Sequence, residues 1–217
     1  MQQSIQFWNR LAEKYAQKPV RDEEAYEQTL ERTRSYLKAS DQMLELGCGT
    51  GTTALKLAKD VAQITASDLS PNMIRIADAK AEKQGTENIL FIAADVADST
   101  AAKGARDDRT YDVVAAFNLL HLLEDAETSV RQIHTVLRQD GFFISKTPCE
   151  PGKGAPLVYR LLRLALPFLQ WIGKAPFVNF MSPNALADML ERNGFKVIET
   201  GNYPLSPPNH FIVARKI

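Results

Sequence analysis

The sequence predicts an α/β fold: a doubly wound, mostly parallel sheet with helices on both faces. Three observations predict it. Short apolar runs alternate with helical patterns between residues 42 and 146, and that alternation calls for right-handed crossovers and parallel strands. The run Tyr111–Phe117 is nearly all apolar, as befits a strand covered on both sides. The stretch LELGCGTG at 44–51 puts three glycines between a strand and a helix, which is where such sheets take ligands.

The elements follow in order. Two helices are expected ahead of the sheet, over residues 4–17 and 22–39. In the first, Ile5, Trp8, Leu11, Ala12 and Tyr15 fall at helical spacing and make one face apolar. Asp22 is placed to cap the second. Residues 42–46 form a short strand, 52–59 a helix opening at the glycines, and 61–67 a second strand. In SPNMIRIADAKAEK, Ser70 caps a helix and Pro71 suits its first position. Residues 88–93 and 111–117 are the third and fourth strands. A helix over 125–138 stops before Asp140–Gly141, and 141–146 is the fifth strand. Ser182, Pro183 and Gly194 bound a last helix over 182–193. Strands over 195–201 and 210–215, joined by NYPLSPPN, pair as a hairpin and leave one antiparallel strand near the C-terminus.

The whole reads as a single domain of 217 residues with 45% hydrophobic content, enough for one core. Residues 1–39 form an N-terminal helical cap, 40–147 the ligand-binding core, 148–181 a helical insert and 182–217 the C-terminal helix and strand pair. Lys plus Arg and Asp plus Glu both number 26, so the basic excess of a nucleic-acid binder is missing. Two cysteines, Cys48 and Cys149, make neither a disulfide framework nor a zinc spacing, and no metal site is expected. The N-terminal residues lack the basic start and apolar core of a signal segment. The apolar-rich region 157–181 is broken by Arg160, Arg163, Pro167, Lys174 and Pro176, too often to span a bilayer. A cytoplasmic protein without an integral membrane segment is expected.

Glycine inside an element costs roughly 0.5–1 kcal/mol relative to alanine, so Gly47, Gly49 and Gly51 together mark a turn that something must approach. Dinucleotide sites run G-x-G-x-x-G. Here the pattern is G-x-G-x-G, with Thr52 where the third dinucleotide glycine would fall. Asp68 ends the second strand 21 residues after Gly47, and a carboxylate there can accept from two vicinal ribose hydroxyls. Glu45, two residues before Gly47, suits a ligand with cationic groups and no pyrophosphate.

These residues give the chain its resemblance to the class I S-adenosylmethionine-dependent methyltransferases, in the small-molecule branch. LELGCGTG (44–51), SDLSPNMI (67–74), AADV (93–96), YDVVAAFNLLHLL (111–123) and LRQDGFFISKT (137–147) carry it. The resemblance implies a Rossmann-like sheet, S-adenosylmethionine as cofactor and S-adenosylhomocysteine as product. It places the backbone of Gly47, Cys48 and Gly49 against the methionine part, with Gly51 completing the turn. Glu45 would meet the amino group, Asp68 both ribose hydroxyls, and Leu69 and Met73 the adenine. Asp95 would accept from the adenine amino group, Val96 would offer its N–H, and Asn118 would line the sulfonium end. Met73 is equally explained as core packing, and Asp95 as a turn cap.

Methyl transfer from a sulfonium by in-line displacement needs positioning above all; a base is needed only for some acceptors. His121, Tyr15, Glu124 and Asp125 are the candidates at the mouth. His121 has the pKa range for base work, or it packs locally at a helix start. Tyr15, in FWNRLAEKYAQ, resembles the aromatic that closes over the cofactor in small-molecule members, or it packs within the cap.

Branches that methylate amino groups of nucleic acids and proteins carry (N/D)PP(Y/F) after the fourth strand. NLLH here departs from that, so a small-molecule acceptor is expected. The insert, with Phe168, Trp171, Phe177 and Phe180, reads as a lid over a hydrophobic, quinone-like or lipid-like acceptor, with peripheral membrane contact open, or as packing or a dimer contact. Monomer and homodimer both stay open. Two other readings stand beside methyl transfer: an NAD(P)-dependent oxidoreductase, and a non-catalytic S-adenosylmethionine-binding module.

Overall fold

The computed structural model describes residues 2–96, 110–150, 165–171, 173–205 and 209–217. Seven strands form one sheet in the order β3-β2-β1-β4-β5-β7-β6. They are β1 Gln42–Leu46, β2 Gln63–Asp68, β3 Ile89–Ala93, β4 Tyr111–Phe117, β5 Leu137–Pro148, β6 Phe195–Asn202 and β7 Asn209–Lys216. The pairs among β1 to β5 are parallel, and β7 runs antiparallel to both β5 and β6. The mostly parallel sheet with one antiparallel strand near the C-terminus is therefore as expected.

Strand alternation splits the core between the two faces. Leu44, Leu46, Val114, Ala116 and Phe143 pack with Val130 and Ile133 of α5, Ala126–Val136, and with Leu186 and Leu190 of the C-terminal helix, Pro183–Arg192. Met43, Val113, Ala115 and Ile144 face the other way, onto Leu30 of α2, Glu23–Arg34, Leu57 of α3, Thr52–Leu57, and Ala77 of α4, Pro71–Gln84. Helix α1, Gln2–Ala16, belongs to neither cluster. Its Ala12, Trp8 and Ala16 pack on Met73 and Ile76 of α4, so the cap sits on a helix and not on the sheet.

The expected caps Asp22, Ser70 and Ser182 are in place and accept from the N–H of Ala25, Met73 and Ala185. Asp125, expected as the first helical residue, is a cap as well and accepts from the Thr128 N–H. Several boundaries differ. Helix α2 ends at Arg34 and not at residue 39: Tyr36 and Leu37 bond back three residues, and Asp41 accepts from the Lys38 N–H. The helix after the glycines ends at Leu57 and tightens into a 3-10 turn, Ala58–Asp60.

The largest difference lies at β5. Helix α5 stops at Val136, and Leu137 is already in the strand. The expected Asp140–Gly141 turn is a bulge instead: β5 advances from Leu137 to Phe142 while β4 advances from Tyr111 to Val113. Asp140 takes φ 60°, and a side chain on Gly141 would meet the carbonyl oxygens of Arg138 and Asp112 at 2.9 and 3.0 Å. The Arg138–Asp112 ion pair clips the bulge to β4.

Of the expected insert, residues 151–164 and 172 lie outside the described residues, and 165–171 are helical. Among the described residues no helix is long and apolar enough to cross a membrane, and no three His, Cys, Asp or Glu side chains are grouped to hold a metal ion. Cys48 and Cys149 are free and buried.

Candidate active site

The strand order reverses between β1 and β4, and ligands of open α/β sheets bind at the carboxyl ends of strands flanking such a switch. A cavity of about 440 Å³ opens there, inside the range of small-molecule sites. Its floor is the glycine turn. The Cys48 N–H donates to Ser67 O (2.9 Å), the Gly49 N–H to Asp68 Oδ2 (2.9 Å) and the Gly51 N–H to Cys48 O (3.0 Å). Gly49 is left-handed at φ 55°, and a Cβ there would stand 3.8 Å from the Tyr15 ring, between turn and cap. Gly51 serves a different neighbour. A Cβ on it would come within 2.8 Å of Ala77 Cβ and 2.9 Å of the Phe91 ring, so its bareness lets α4 and β3 pack behind the turn.

Asp68 lines the cavity with both oxygens held by amides, Oδ2 by Gly49 and Oδ1 by the Ser70 N–H at 2.8 Å. Each oxygen keeps further accepting capacity. Burial raises its pKa, and the two amide bonds pull the other way. Glu45 does not line the cavity. It lies behind the turn, 3% exposed, its carboxyl pushed up to about 8 by burial and then by the Asp68 charge, against an amide bond from Ala54. Its Oε2 has no hydrogen-bond partner. Cys48 points into the core, and burial raises its thiol well above the ordinary value; it is no nucleophile.

Leu69, Met73, Asp95 and Val96 line one part of the wall. Met73 also belongs to the small cluster under α1, so both readings of it describe real contacts. Helix α1 brings Ser4, Trp8 and Tyr15 to the rim. Tyr15 is half exposed at the rim; partial desolvation there and the Asp68 charge raise its phenol, which keeps it protonated through the neutral range.

Asn118 lines the cavity past β4 in a left-handed conformation, φ 55°, which asparagine tolerates better than most residues. Its N–H donates to Lys146 O (2.7 Å) and its Oδ1 accepts from Asn209 Nδ2 (3.3 Å). Beyond it the wall is Phe117, Leu119, Leu122, Leu123, Pro176 and Phe177, with Glu124, Asp125, Thr128 and Ser129 also lining.

His121 is not in that wall. It sits in the 3-10 turn Leu120–Leu122 with Nδ1 unpartnered, and burial pushes its pKa down to about 4. Its carbonyl accepts from the Asn179 N–H (2.6 Å) and so anchors the end of the insert. Of the insert's aromatics, Phe177 reaches the cavity, while Phe168 and Trp171 face solvent, Trp171 at 82% exposure. Arg160 and Arg163 lie outside the described residues. Arg10 Nη2 donates to Gly173 O (3.0 Å), tying α1 to the insert.

The structure thus gathers Tyr15, Gly47, Gly49, Asp68, Leu69, Met73, Asp95, Val96 and Asn118 around one cavity, and leaves Glu45, Cys48, Gly51 and His121 outside its lining. Sequence reasoning missed the roles of Trp8 and Leu122. Trp8 was findable, being two turns before Tyr15 on the same helical face.

The site's chemistry suits S-adenosylmethionine. Asp68 has capacity for a diol, the turn bears no side chain at Gly49, Leu69 and Met73 offer an apolar slot, and the Glu45 Oε2 beneath the turn has no hydrogen-bond partner. The methyltransferase-domain family model matches residues 16–200. A demethylmenaquinone methyltransferase of Thermus thermophilus is 32% identical over 174 residues, covering 74% of this chain and 76% of its own length. The uncharacterized methyltransferase YcgJ of Bacillus subtilis is 29% identical over 107 residues, 49% of this chain; the match spans only 40% of that relative's length. The crystal structure of magnesium protoporphyrin IX methyltransferase from Synechocystis PCC 6803 with bound SAH covers 99% of this chain and 94% of its own, with a TM-score of 0.69 at 18% identity, a likeness of fold. With the reversal of strand order, the glycine turn and the strand-end acid all inside the residues that the family model matches, this chain belongs to the class I S-adenosylmethionine-dependent methyltransferases.

Proposed function

We propose that this chain methylates a small, largely apolar acceptor that binds in the cavity beside Asn118. The observation that carries the reading is the wall of Phe117, Leu119, Leu122, Leu123, Pro176 and Phe177, which offers apolar contact and little to compensate a buried charge. When bound, S-adenosylmethionine supplies a methyl group on sulfonium that is already electrophilic. Asp68 would hold the diol, Leu69 and Met73 the adenine, with Asp95 and Val96 at its edge. The bare turn at Gly47 and Gly49 would take the methionine part, with Glu45 beneath it, and Tyr15 and Trp8 would exclude water from above.

The chain's contribution to rate is then orientation and desolvation. His121 stands outside the wall, so a proton lost by the acceptor would pass to water or to Glu124 or Asp125, which line the cavity. The Thermus thermophilus relative is named for demethylmenaquinone, which supports an aromatic, quinone-like acceptor.

Thermal unfolding with S-adenosylmethionine, S-adenosylhomocysteine, NAD and NADP in parallel tests the cofactor. A ligand at 100 times its Kd adds about 2.7 kcal/mol, a rise of roughly 5–10 °C in a domain of this size. A rise with the two adenosyl sulfur compounds alone, lost in Asp68→Ala, is expected. A rise with nicotinamides alone would restore the oxidoreductase. Release of S-adenosylhomocysteine across phenolic, quinol-like and aliphatic acceptors tests the second half; binding with no release from any acceptor would favour the non-catalytic module.

A further inference from the structure

We propose that Asn9 is a positioning residue for the ribose-binding carboxylate: it couples the seating of the cap helix to the orientation of Asp68. The proposal rests on the reading above that S-adenosylmethionine occupies the cavity.

Helix α1 is held apart from the main core, on its own small cluster with α4. One polar side chain joins it to the turn between β2 and α4. Asn9 Oδ1 accepts from the Ser70 hydroxyl (2.6 Å) and from the Asn72 N–H (3.2 Å), and the Asn9 carbonyl accepts from Asn72 Nδ2 (3.1 Å). The main-chain donor of Asn72 identifies the accepting atom as oxygen, which removes the usual ambiguity of an amide.

Ser70 is fully buried and has every role filled. Its hydroxyl donates to Asn9, its oxygen accepts from the Met73 N–H (3.2 Å), and its own N–H donates to Asp68 Oδ1 (2.8 Å). The other carboxylate oxygen takes the Gly49 N–H. A continuous set of hydrogen bonds therefore runs from α1 through Ser70 to Asp68 and on to the glycine turn. The same helix carries Trp8 and Tyr15 over the cavity. Whatever fixes Asp68 from the ligand side must also fix α1, because coupling between two sites is reciprocal. Asn9 lies ahead of the region 16–200 that the family model matches.

Two substitutions isolate the accepting oxygen. Asn9→Leu keeps the volume and removes the acceptor. Asn9→Asp keeps it and places a negative charge at the N-terminus of α4, where such charge is favourable. The measurements are calorimetric binding of S-adenosylhomocysteine and hydrogen exchange of the α1 amides with and without it. Wild type is expected to bind and to gain α1 protection on binding. Asn9→Leu is expected to bind about tenfold more weakly, within the usual range of coupling, and to lose that gain; Asn9→Asp should stay within about threefold of wild type. Equal binding and equal protection gain in Asn9→Leu would overturn the inference while leaving the cofactor reading intact, as would equal weakening in both variants. Wild type that binds no S-adenosylhomocysteine would sink the cofactor reading itself, and the Asn9 role with it. Should Asn9→Leu fail to fold, Asn9→Ala breaks the same link and leaves the Ser70 cap of α4 in place: weakened binding with loss of the α1 protection gain supports the coupling, and unchanged binding refutes it.

Discussion

Alanine at Gly51 and alanine at Gly49 should do different damage, although the two positions are a residue apart. Both are left-handed, at φ 73° and 55°, a conformation that costs an L-residue roughly 1–2 kcal/mol. The surroundings separate them. A Cβ on Gly51 meets Ala77 Cβ at 2.8 Å and two Phe91 ring atoms at 2.9 Å. Ala77 is fixed to the backbone of α4 and fully buried, and Phe91 is buried in β3, so neither has room to move. Overpacking of this kind adds about 1–3 kcal/mol. The total for Gly51→Ala is about 2–5 kcal/mol, a large part of the roughly 5–15 kcal/mol that holds a domain folded. At Gly49 the nearest atom is Tyr15 Cε1 at 3.8 Å, an ordinary contact, so only the conformational cost of roughly 1–2 kcal/mol applies.

Urea unfolding is the assay. With m near 2 kcal/mol/M, Gly51→Ala should lower the midpoint by roughly 1–2.5 M, and Gly49→Ala by roughly 0.5–1 M. Binding of S-adenosylhomocysteine should show the reverse order. Gly49→Ala puts a methyl group between the turn and Tyr15 and should weaken binding about tenfold or more, while folded Gly51→Ala should bind within a few-fold of wild type. Equal midpoints for the two variants would refute the packing role of Gly51. Stronger loss of binding at Gly51 than at Gly49 would show that the wrong glycine has been placed against the ligand.

The titratable groups give two further predictions. Glu45 titrates at about 8 in the folded chain against an ordinary 4.5; the folded state keeps a proton that the unfolded state releases. Its contribution to stability is therefore present below pH 4.5 and lost as pH rises through 8, and Glu45→Gln should flatten that slope in denaturant titrations. A ligand ammonium favours the charged form, so binding should tighten toward pH 8 with a proton released, readable by calorimetry in two buffers. His121 is shifted the other way, to about 4 from 6.5; its contribution is present above pH 6.5 and lost as pH falls through 4, and His121→Asn should remove it. The same variant should keep more than a tenth of turnover, and a loss above a hundredfold would make His121 catalytic after all. At the acceptor end, Phe177→Ala should raise the acceptor KM several-fold at unchanged affinity for S-adenosylhomocysteine, with solvent-facing Trp171→Ala as the silent control; equal effects of the two on steady-state rates would remove Phe177 from the acceptor wall.

What was legible in the sequence was local chemistry. Asp22, Ser70 and Ser182 cap helices because a short polar side chain reaches the N–H three residues on, and that is decided within four residues. Asp68 was readable because the end of a strand fixes where its last side chain can point. Residues 137–140 misled because their ladder is set by β4 and not by their own propensity: the Tyr111 pairing and the Arg138–Asp112 clip hold Leu137 in a strand where local pattern favours a helix tail. Phe177 was named with the insert's other aromatics, but that it reaches the cavity while Phe168 and Trp171 face solvent depends on contacts across long stretches of chain that no spacing rule reports, and the same holds for the bonds of Asn9 to Ser70 and Asn72. Glu45 was read from the sequence as meeting a ligand amino group, and it does not line the cavity. Strand alternation puts it on the face of Met43, beneath the turn, so it meets the site through the backbone and through its field.

That placement shapes how the site works. Glu45 and Asp68 are buried acids, the Asp68 charge adds to the cost of ionising Glu45, and the hydrogen bonds that hold them come from main-chain amides of Ala54, Gly49 and Ser70. Amides orient a carboxylate without neutralising it. With its carboxyl pushed up to about 8, Glu45 holds its proton at neutral pH, because a second charge beside Asp68 is costly in a medium that screens it weakly. A cationic ligand lowers that cost, and a neutral or anionic one does not. On the proposed occupancy, preference for a sulfonium and ammonium over a pyrophosphate would need no cation-specific side chain in the wall. It would follow from glycines that expose backbone, from Asp68 beside that backbone, and from Glu45 behind it, ready to ionise when the cation arrives. S-adenosylhomocysteine, lacking the sulfonium, should accordingly lose part of the relief while keeping every diol and adenine contact. Raising Glu45 to its neutral isostere should narrow the difference in affinity between S-adenosylmethionine and S-adenosylhomocysteine, and an unchanged ratio in Glu45→Gln would show that the field beneath the turn plays no part in recognising the cation.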